Sequence, residues 1–75
     1  MTITLWVNGQ PLEMPGVTTC GYAAARVAAA AGLDPNEGPY HLQIKGELLP
    51  EDELIVGYDG ATVEALIRVG REYDA

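Results

Sequence analysis

The fold is decided by residues 2–14, which read TITLWVNGQPLEM. Apolar residues occupy every second position from Ile3 to Val7, which is the period-2 pattern of a half-buried strand. Asn8-Gly9 follows, and this pair tolerates the positive φ angles that a two-residue hairpin turn requires. The returning strand contains Pro11, which cannot donate a ladder hydrogen bond and therefore favours a sheet edge. The stretch predicts a β-hairpin at the start of the domain.

An alanine-rich segment follows the hairpin, and it predicts a helix over residues 18–31. Seven of these residues are alanine, which has the highest helix propensity. Thr18 or Thr19 can cap the helix, and Gly32 suits the position just after its end. Its predicted buried stripe is small, so we expect the helix to lie close to a sheet. That stripe comprises Ala23, Ala24, Val27, Ala30 and Ala31.

The second half of the chain contains three more strand-like runs. Alternation predicts a strand at residues 40–45, a short strand at 47–49 and a last strand at 62–69. The acidic segment 51–60 between them is irregular, and its apolar residues 54–56 are expected to close the bottom of the core. On the last strand, one face is predicted to carry Val63, Ala65 and Ile67, and the other Glu64, Leu66 and Arg68. The most regular strands, the first and the last, are expected to be parallel neighbours at the centre of the sheet.

Composition narrows the range of functions. The chain has 75 residues, four basic and 11 acidic side chains, and a formal net charge of −7. This balance argues against nucleic acid and anionic membrane surfaces and suits a basic partner. No apolar run reaches the roughly 18 residues of a membrane span, and the start does not resemble a signal peptide. A cytoplasmic location is therefore expected, and the single Cys20 is consistent with it because no internal disulfide can form.

The order of elements, together with two segments, carries a family resemblance. Residues 42–49, LQIKGELL, precede an acidic loop, and residues 66–70, LIRVG, close the last strand. Both resemble segments of the ubiquitin-like β-grasp superfamily, and the chain is most similar to the small bacterial modifiers encoded beside activating and conjugating enzymes. The resemblance implies an α+β roll, with a four- to five-stranded mixed sheet and one helix packed across one face. It also implies a domain at residues 1–69 and a flexible tail at 70–75.

The resemblance implies a protein that is acted on by enzymes and is not itself an enzyme. An activating enzyme would use ATP to adenylate the tail carboxylate, and a conjugating enzyme would transfer it to target proteins through an ester or thioester. A deconjugating protease would be a further partner, and the chain itself would need no cofactor. The alternatives are a sulfur carrier with a tail thiocarboxylate, and a module that binds proteins non-covalently. Neighbouring genes would separate these functions.

The tail departs from the family pattern because it lacks a terminal Gly-Gly pair. Glycines let an extended tail enter a narrow channel, since they have no Cβ to clash. Here a protease would have to trim the chain, or the enzymes would have to accept a bulky acidic tail, or the tail is an inert terminus. The predicted conjugation and processing site comprises Gly70, Arg71, Glu72, Tyr73, Asp74 and Ala75.

Other candidate sites lie on the domain itself. Trp6 is expected to point away from the helix, beside Leu66 and Arg68, and these three residues form the predicted partner-binding face. Lys45 is the sole lysine and thus a candidate acceptor for chain formation, although a solvated strand residue is the simpler interpretation. An exposed strand edge and this apolar face could also support self-association.

Metal binding and cysteine chemistry are not expected. Cys20 has no neighbouring base in the sequence, so it is interpreted as a small buried hydrophobe. His41 is a single histidine, whereas zinc takes three or four ligands. The acidic run 51–53 lacks the spacing of a calcium-binding loop.

Overall fold

The computed structural model describes residues 1–68, and the predicted α+β β-grasp roll is confirmed. The five strands form two antiparallel sheets, of two and three strands, which one isolated parallel bridge joins edge to edge, and one helix packs across one face. Short 3-10 turns occupy Pro35–Glu37 and Ile55–Tyr58. In chain order, the other elements are β1 (Thr2–Val7), β2 (Gln10–Pro15), α1 (Cys20–Ala30), β3 (Tyr40–Ile44), β4 (Glu47–Leu48) and β5 (Ala65–Arg68).

The predicted hairpin is confirmed. β1 and β2 are antiparallel, and Asn8 and Gly9 adopt φ angles of 52° and 80° in the turn. Val7 and Gln10 close this two-residue turn, so alternate β2 residues direct their backbone groups away from β1. Those residues are Pro11, Glu13 and Pro15. The two prolines have no N–H group, so the outer edge of β2 is a poor template for another strand.

The helix begins and ends as capping chemistry predicts. Thr19 is the N-cap, and its Oγ1 accepts a hydrogen bond from the Tyr22 N–H at 3.3 Å. At the other end, Gly32 has a φ of +82°. The Gly32 N–H donates to Ala29 O and the Leu33 N–H donates to Ala28 O, which is the Schellman motif. The helix is therefore shorter at both ends than the predicted 18–31.

The buried face of α1 differs in part from the predicted stripe. Cys20, Ala23, Ala24, Val27 and Ala28 are buried, whereas Ala30 and Ala31 are exposed. The prediction for the last two alanines was wrong because the sheet is open beneath the last turn. Ala31 lines a cleft of about 230 Å³ there.

β3 is the centre of the second half of the sheet. Its residues alternate between buried and half-buried, as predicted, and it pairs antiparallel with both β4 and β5. β5 begins at Ala65, three residues later than predicted. The Glu64 N–H donates to Gln43 O at 2.8 Å, while Ala65 is the register partner of Gln43. Two residues of one strand thus oppose one residue of the other, which defines a β-bulge at Glu64-Ala65.

One isolated parallel bridge at Trp6–Thr62 joins the two sheets, so the predicted parallel pairing of the first and last strands is reduced to this single contact before β5 begins. Trp6 pairs with Thr62: the Trp6 N–H donates to Ala61 O at 2.9 Å, and the Val63 N–H donates to Trp6 O at 2.8 Å. Two residues earlier on β1, the acceptor of the backbone N–H is a side chain and not a backbone carbonyl. The Thr4 N–H donates to Asp59 Oδ1 at 2.9 Å, next to the turn at Gly60.

The core fills the space between α1 and the sheet, and it is closed from below by residues 49–58. Ile55 is fully buried there, but Leu54 and Val56 are exposed, so the expectation that all three residues 54–56 fill the core was wrong. The 3-10 turn that begins at Ile55 directs its neighbours outward. Within residues 1–68, no helix is long and apolar enough to cross a membrane.

Candidate functional site: the open sheet face

The helix covers one face of the sheet, and we call the other side the open face. Residues that oppose each other across paired strands share a face. The buried residues Ile3, Leu5, Leu42 and Ile44 mark the helix side, so the residues between them belong to the open face. Its main side chains are Trp6, His41, Leu48, Ala65 and Ile67.

Leu66 is on the helix side and not on the open face, so its predicted position was wrong. It opposes the buried Leu42 and packs against the core, and Arg68 opposes the buried Tyr40. The bulge at Glu64-Ala65 is the cause. Val63 and Leu66 are three positions apart, so in a regular strand they would point to opposite faces. Both pack against the core because the extra residue of the bulge reverses the alternation.

Trp6 lies on the open face, as its position in β1 predicts. Its side chain is 40% exposed, and its strand neighbours on this face are Pro11 and Thr62. Its backbone is fixed by the two hydrogen bonds to Ala61 and Val63. The indole is therefore attached to backbone that is hydrogen-bonded to the segment before β5. That Trp6 binds a partner remains a prediction.

Two further apolar residues of the open face escaped the sequence reasoning. Ile67 opposes His41, and Leu48 opposes Gln43 with 47% of its side chain exposed. Leu48 was detectable, since it alternates with Glu47 in a short strand after a turn glycine. Ile67 was not, because both possible registers of β5 place an apolar residue on each face.

The end of β5 is held by one exposed ion pair. Arg68 Nη1 lies 3.2 Å from Glu37 Oε1. Both side chains are substantially exposed, so solvent screens the pair and its contribution to stability is small. The predicted conjugation and processing residues, Gly70 to Ala75, lie outside the described residues.

Lys45 lies in the turn of the β3–β4 hairpin, which also carries the open-face residue Leu48. It adopts a φ of 53° and, with Gly46 at 76°, forms the turn between β3 and β4. The Gly46 N–H donates to Glu64 Oε1 at 3.0 Å, which ties this turn to the bulge. Lys45 is exposed at the tip of the turn, and its role as an acceptor remains a prediction.

Cys20 is a buried structural residue, as interpreted from the sequence. Burial, with a smaller effect from the nearby Glu53, raises the pKa of its thiol to about 11. A helix N-terminus lowers a thiol pKa, but here the loss of solvent outweighs that effect. Cys20 is therefore a poor nucleophile at neutral pH. Residues 1–68 contain no cluster of three metal-ligating side chains.

Comparisons with known proteins agree with this geometry. No protein-family model matches the chain, and no curated protein matches it. Among solved structures, the ubiquitin of Caldiarchaeum subterraneum is similar, with a TM-score of 0.58 and 28% identity over 93% of this chain and 94% of that one. The N-terminal ubiquitin-like domain of the 4931431F19Rik protein has a TM-score of 0.61 and 9% identity over 95% and 76%. The second likeness is one of fold alone.

Proposed function

Because this chain has the ubiquitin-like β-grasp fold, we propose that it is a protein modifier, activated at its C-terminal carboxylate and joined to target proteins by partner enzymes. The observation that carries the proposal is its similarity to an archaeal ubiquitin over nearly the full length of both chains. A shared fold alone would support many roles. The identity of 28% over 93% of the chain adds weight to this one.

The position of β5 supports the same role. β5 is anchored along β3 up to the pair Tyr40–Arg68, and the segment 69–75 continues from that point. A modifier needs a firmly held last strand, because the enzyme must recognise the body while it reacts with the segment beyond. The activating enzyme would join the carboxylate to the AMP part of ATP and release pyrophosphate. A conjugating enzyme would then receive the acyl group as an ester or thioester, with release of AMP. The chain contributes the carboxylate and the docking surface.

Trimming is a part of the proposal because residues 71–74 are bulky and charged. Cleavage after Gly70 would leave a glycine carboxylate, the residue that fits most easily into a narrow channel. A deconjugating protease is the natural enzyme for this step. Lys45, exposed on the β3–β4 turn, is the side-chain acceptor that chain formation would use.

Intact mass spectrometry of the protein from its native cells tests the proposal. The wild-type chain is compared with a form truncated after Val69, which keeps every described element. We expect higher-mass adducts or a trimmed C-terminus in the wild type and neither in the truncated form. A single unmodified mass in every condition would overturn the proposal.

A non-covalent interaction module is the second candidate, favoured by the apolar side chains of the open face. Trp6 and Leu48 are 40% and 47% exposed there, and neither belongs to the buried core. Exposed aromatic residues are frequent anchors at protein interfaces. Affinity capture with wild-type protein and with Trp6→Ala separates this role from conjugation. Partners that depend on Trp6 but not on residues 70–75 would favour the module.

A further inference from the structure

Four exposed apolar residues lie on segments that come together at the end of the molecule where β1 begins. Met1, Val17, Leu54 and Val56 are 86%, 79%, 48% and 38% exposed. We call this cluster the pole patch. It is separate from the open face, because its members come from the start of β1, the β2–α1 connection and the segment before the second 3-10 turn.

Backbone hydrogen bonds bring these segments together. The Gly16 N–H donates to Met1 O at 2.7 Å, and the Ile55 N–H donates to Thr18 O at 2.8 Å. Val56 covers Gly16: a Cβ placed on Gly16 would lie 3.2 Å from Val56 Cγ2. Leu54 pairs with Thr19 in an isolated antiparallel bridge. The pole patch is therefore a built surface and not a set of scattered side chains.

Packing within the domain does not account for the exposed side chain of Val17. Val17 lies in a turn closed by the Thr18 N–H and Pro15 O at 3.0 Å, a position where a polar residue is the usual choice. Ile55 alone supplies the buried side chain of its segment. Contiguous exposed apolar groups on a small protein commonly mark a partner site.

The charge beside the pole patch indicates what kind of partner fits. Glu51, Asp52 and Glu53 directly precede Leu54 and are all exposed. The Gly21 N–H donates to Glu51 O at 2.9 Å and the Cys20 N–H to Glu53 O at 2.7 Å, so this acidic segment is fixed against the start of α1.

No described basic side chain has a recorded contact with this acidic segment. Arg26 donates to Glu13 O, Lys45 is on the β3–β4 turn, and Arg68 pairs with Glu37. The charged side chains that directly precede Leu54 are therefore all acidic, and no basic side chain of the described residues 1–68 is seen to neutralise them.

We propose that the pole patch binds a segment of a partner protein that carries lysine and arginine side chains around an apolar centre. A second copy of this chain fits poorly, because each copy has a net charge of −7 and the acidic rims would repel. Four side chains also fall short of the roughly 800 Å² that each partner buries in a stable dimer. A basic partner gains both the apolar contact and the favourable potential.

The pole patch is at the opposite end from the exit of β5. The chain at Thr62 runs parallel to β1 where it pairs with Trp6, and it continues in that direction to Arg68, whereas Met1 precedes β1. A partner at the pole patch therefore leaves the open face and the segment after β5 accessible. It could bind the chain before or after any conjugation, and the inference does not depend on the proposed function.

NMR titration of the labelled full chain with a short amphipathic peptide of leucine and lysine tests the proposal. A peptide of leucine and glutamate with the same apolar face is the control ligand. We expect the basic peptide to shift the signals of Val17, Leu54 and Val56, and the acidic peptide to leave them unchanged. Leu54→Ser should weaken binding at least about fivefold. Leu33→Ser is the matched control, since Leu33 is 45% exposed outside the patch.

Two double variants of equal net charge show whether the peptide is attracted by the acidic segment 51–53 or by the net charge of the whole protein. The double variant Glu51→Lys/Asp52→Lys and the control Glu13→Lys/Glu37→Lys both change the net charge from −7 to −3. We expect the first to weaken binding at least about fivefold more than the second, because local charges act within a Debye length of about 10 Å. Equal losses in the two variants, shifts centred on the open face, or no shift at the pole patch would each overturn the proposal.

Discussion

Gly21 in the first turn of α1 gives a sharp test of how closely the chain packs around the start of the helix. Propensity alone predicts that Gly21→Ala stabilises the protein by about 1 kcal/mol. The structure predicts the opposite. A Cβ at this position would lie 2.9 Å from Glu51 Cβ and 3.1 Å from Glu51 O, and the first distance is shorter than Cβ contacts in real proteins.

The expected magnitude follows from three terms. Overpacking at a tight backbone contact costs about 1–3 kcal/mol. Displacing Glu51 also stretches the hydrogen bond from the Gly21 N–H to Glu51 O, now 2.9 Å, which is worth about 1 kcal/mol. The propensity gain of about 1 kcal/mol offsets part of this. We therefore expect Gly21→Ala to lower the free energy of unfolding by about 2 kcal/mol.

Urea unfolding followed by circular dichroism measures this change, with a matching fall in Tm of about 8–16 °C for a domain of this size. Ala29→Gly, on the exposed side of α1, is the control and isolates the propensity term of about 1 kcal/mol. Glu51→Gly removes the closest clashing atom, so the double variant with Gly21→Ala should recover part of the loss as a coupling energy. A Gly21→Ala protein more stable than the wild type would refute the reasoning.

Three further predictions concern the core. Leu66→Asp should lower the free energy of unfolding by about 3 kcal/mol because Leu66 packs beside Leu42. Ile67→Asp, on the open face, should lower it by less than about 1 kcal/mol. Chemical denaturation of both variants tests the bulge, and a larger loss of stability for Ile67→Asp than for Leu66→Asp would contradict it. Ala24→Leu should cost about 1–3 kcal/mol by overpacking the buried face of α1, while Ala29→Leu should be nearly neutral, and equal stabilities would show that the helix is not close to the sheet. The pKa of the Cys20 thiol is about 11 in the folded protein against an ordinary 9.0, so the thiol of the unfolded chain ionises at lower pH. The contribution of Cys20 to the free energy of unfolding is therefore fully present below pH 9 and is lost, by up to about 2–3 kcal/mol, as the pH rises to 11. Cys20→Ala should flatten that part of the pH profile relative to the wild type, and an unchanged slope would show that Cys20 makes no contribution.

The elements that depend on local chemistry could be predicted from the sequence. The hairpin follows from Asn8-Gly9, and the limits of α1 follow from Thr19 and Gly32, because each of these residues acts on its immediate neighbours. The strand at Tyr40–Ile44 follows from alternation that continues without interruption. Such features need no knowledge of distant contacts.

The face of β5 could not be predicted, because a distant carbonyl decides it. Val63, Leu66 and Ile67 are all apolar, so the sequence permits either alternation. The hydrogen bond from the Glu64 N–H to Gln43 O selects one of them by inserting a bulge. The exposure of Val56 has a similar origin, since it depends on how residues 53–55 pair with residues 18–20 and where the following 3-10 turn begins.

The bulge also determines what a partner on the open face would contact. Without it, Leu66 would lie on that face and Ile67 would point into the core. With it, the branched side chain of Ile67 opposes the titratable His41, and the shorter Ala65 opposes Gln43. The large apolar side chains of the open face therefore come from three different strands, with Trp6 on β1, Leu48 on β4 and Ile67 on β5. A partner that reads this face must match that spacing, so Ile67→Asp should impair its binding while Leu66→Asp acts only by unfolding the domain.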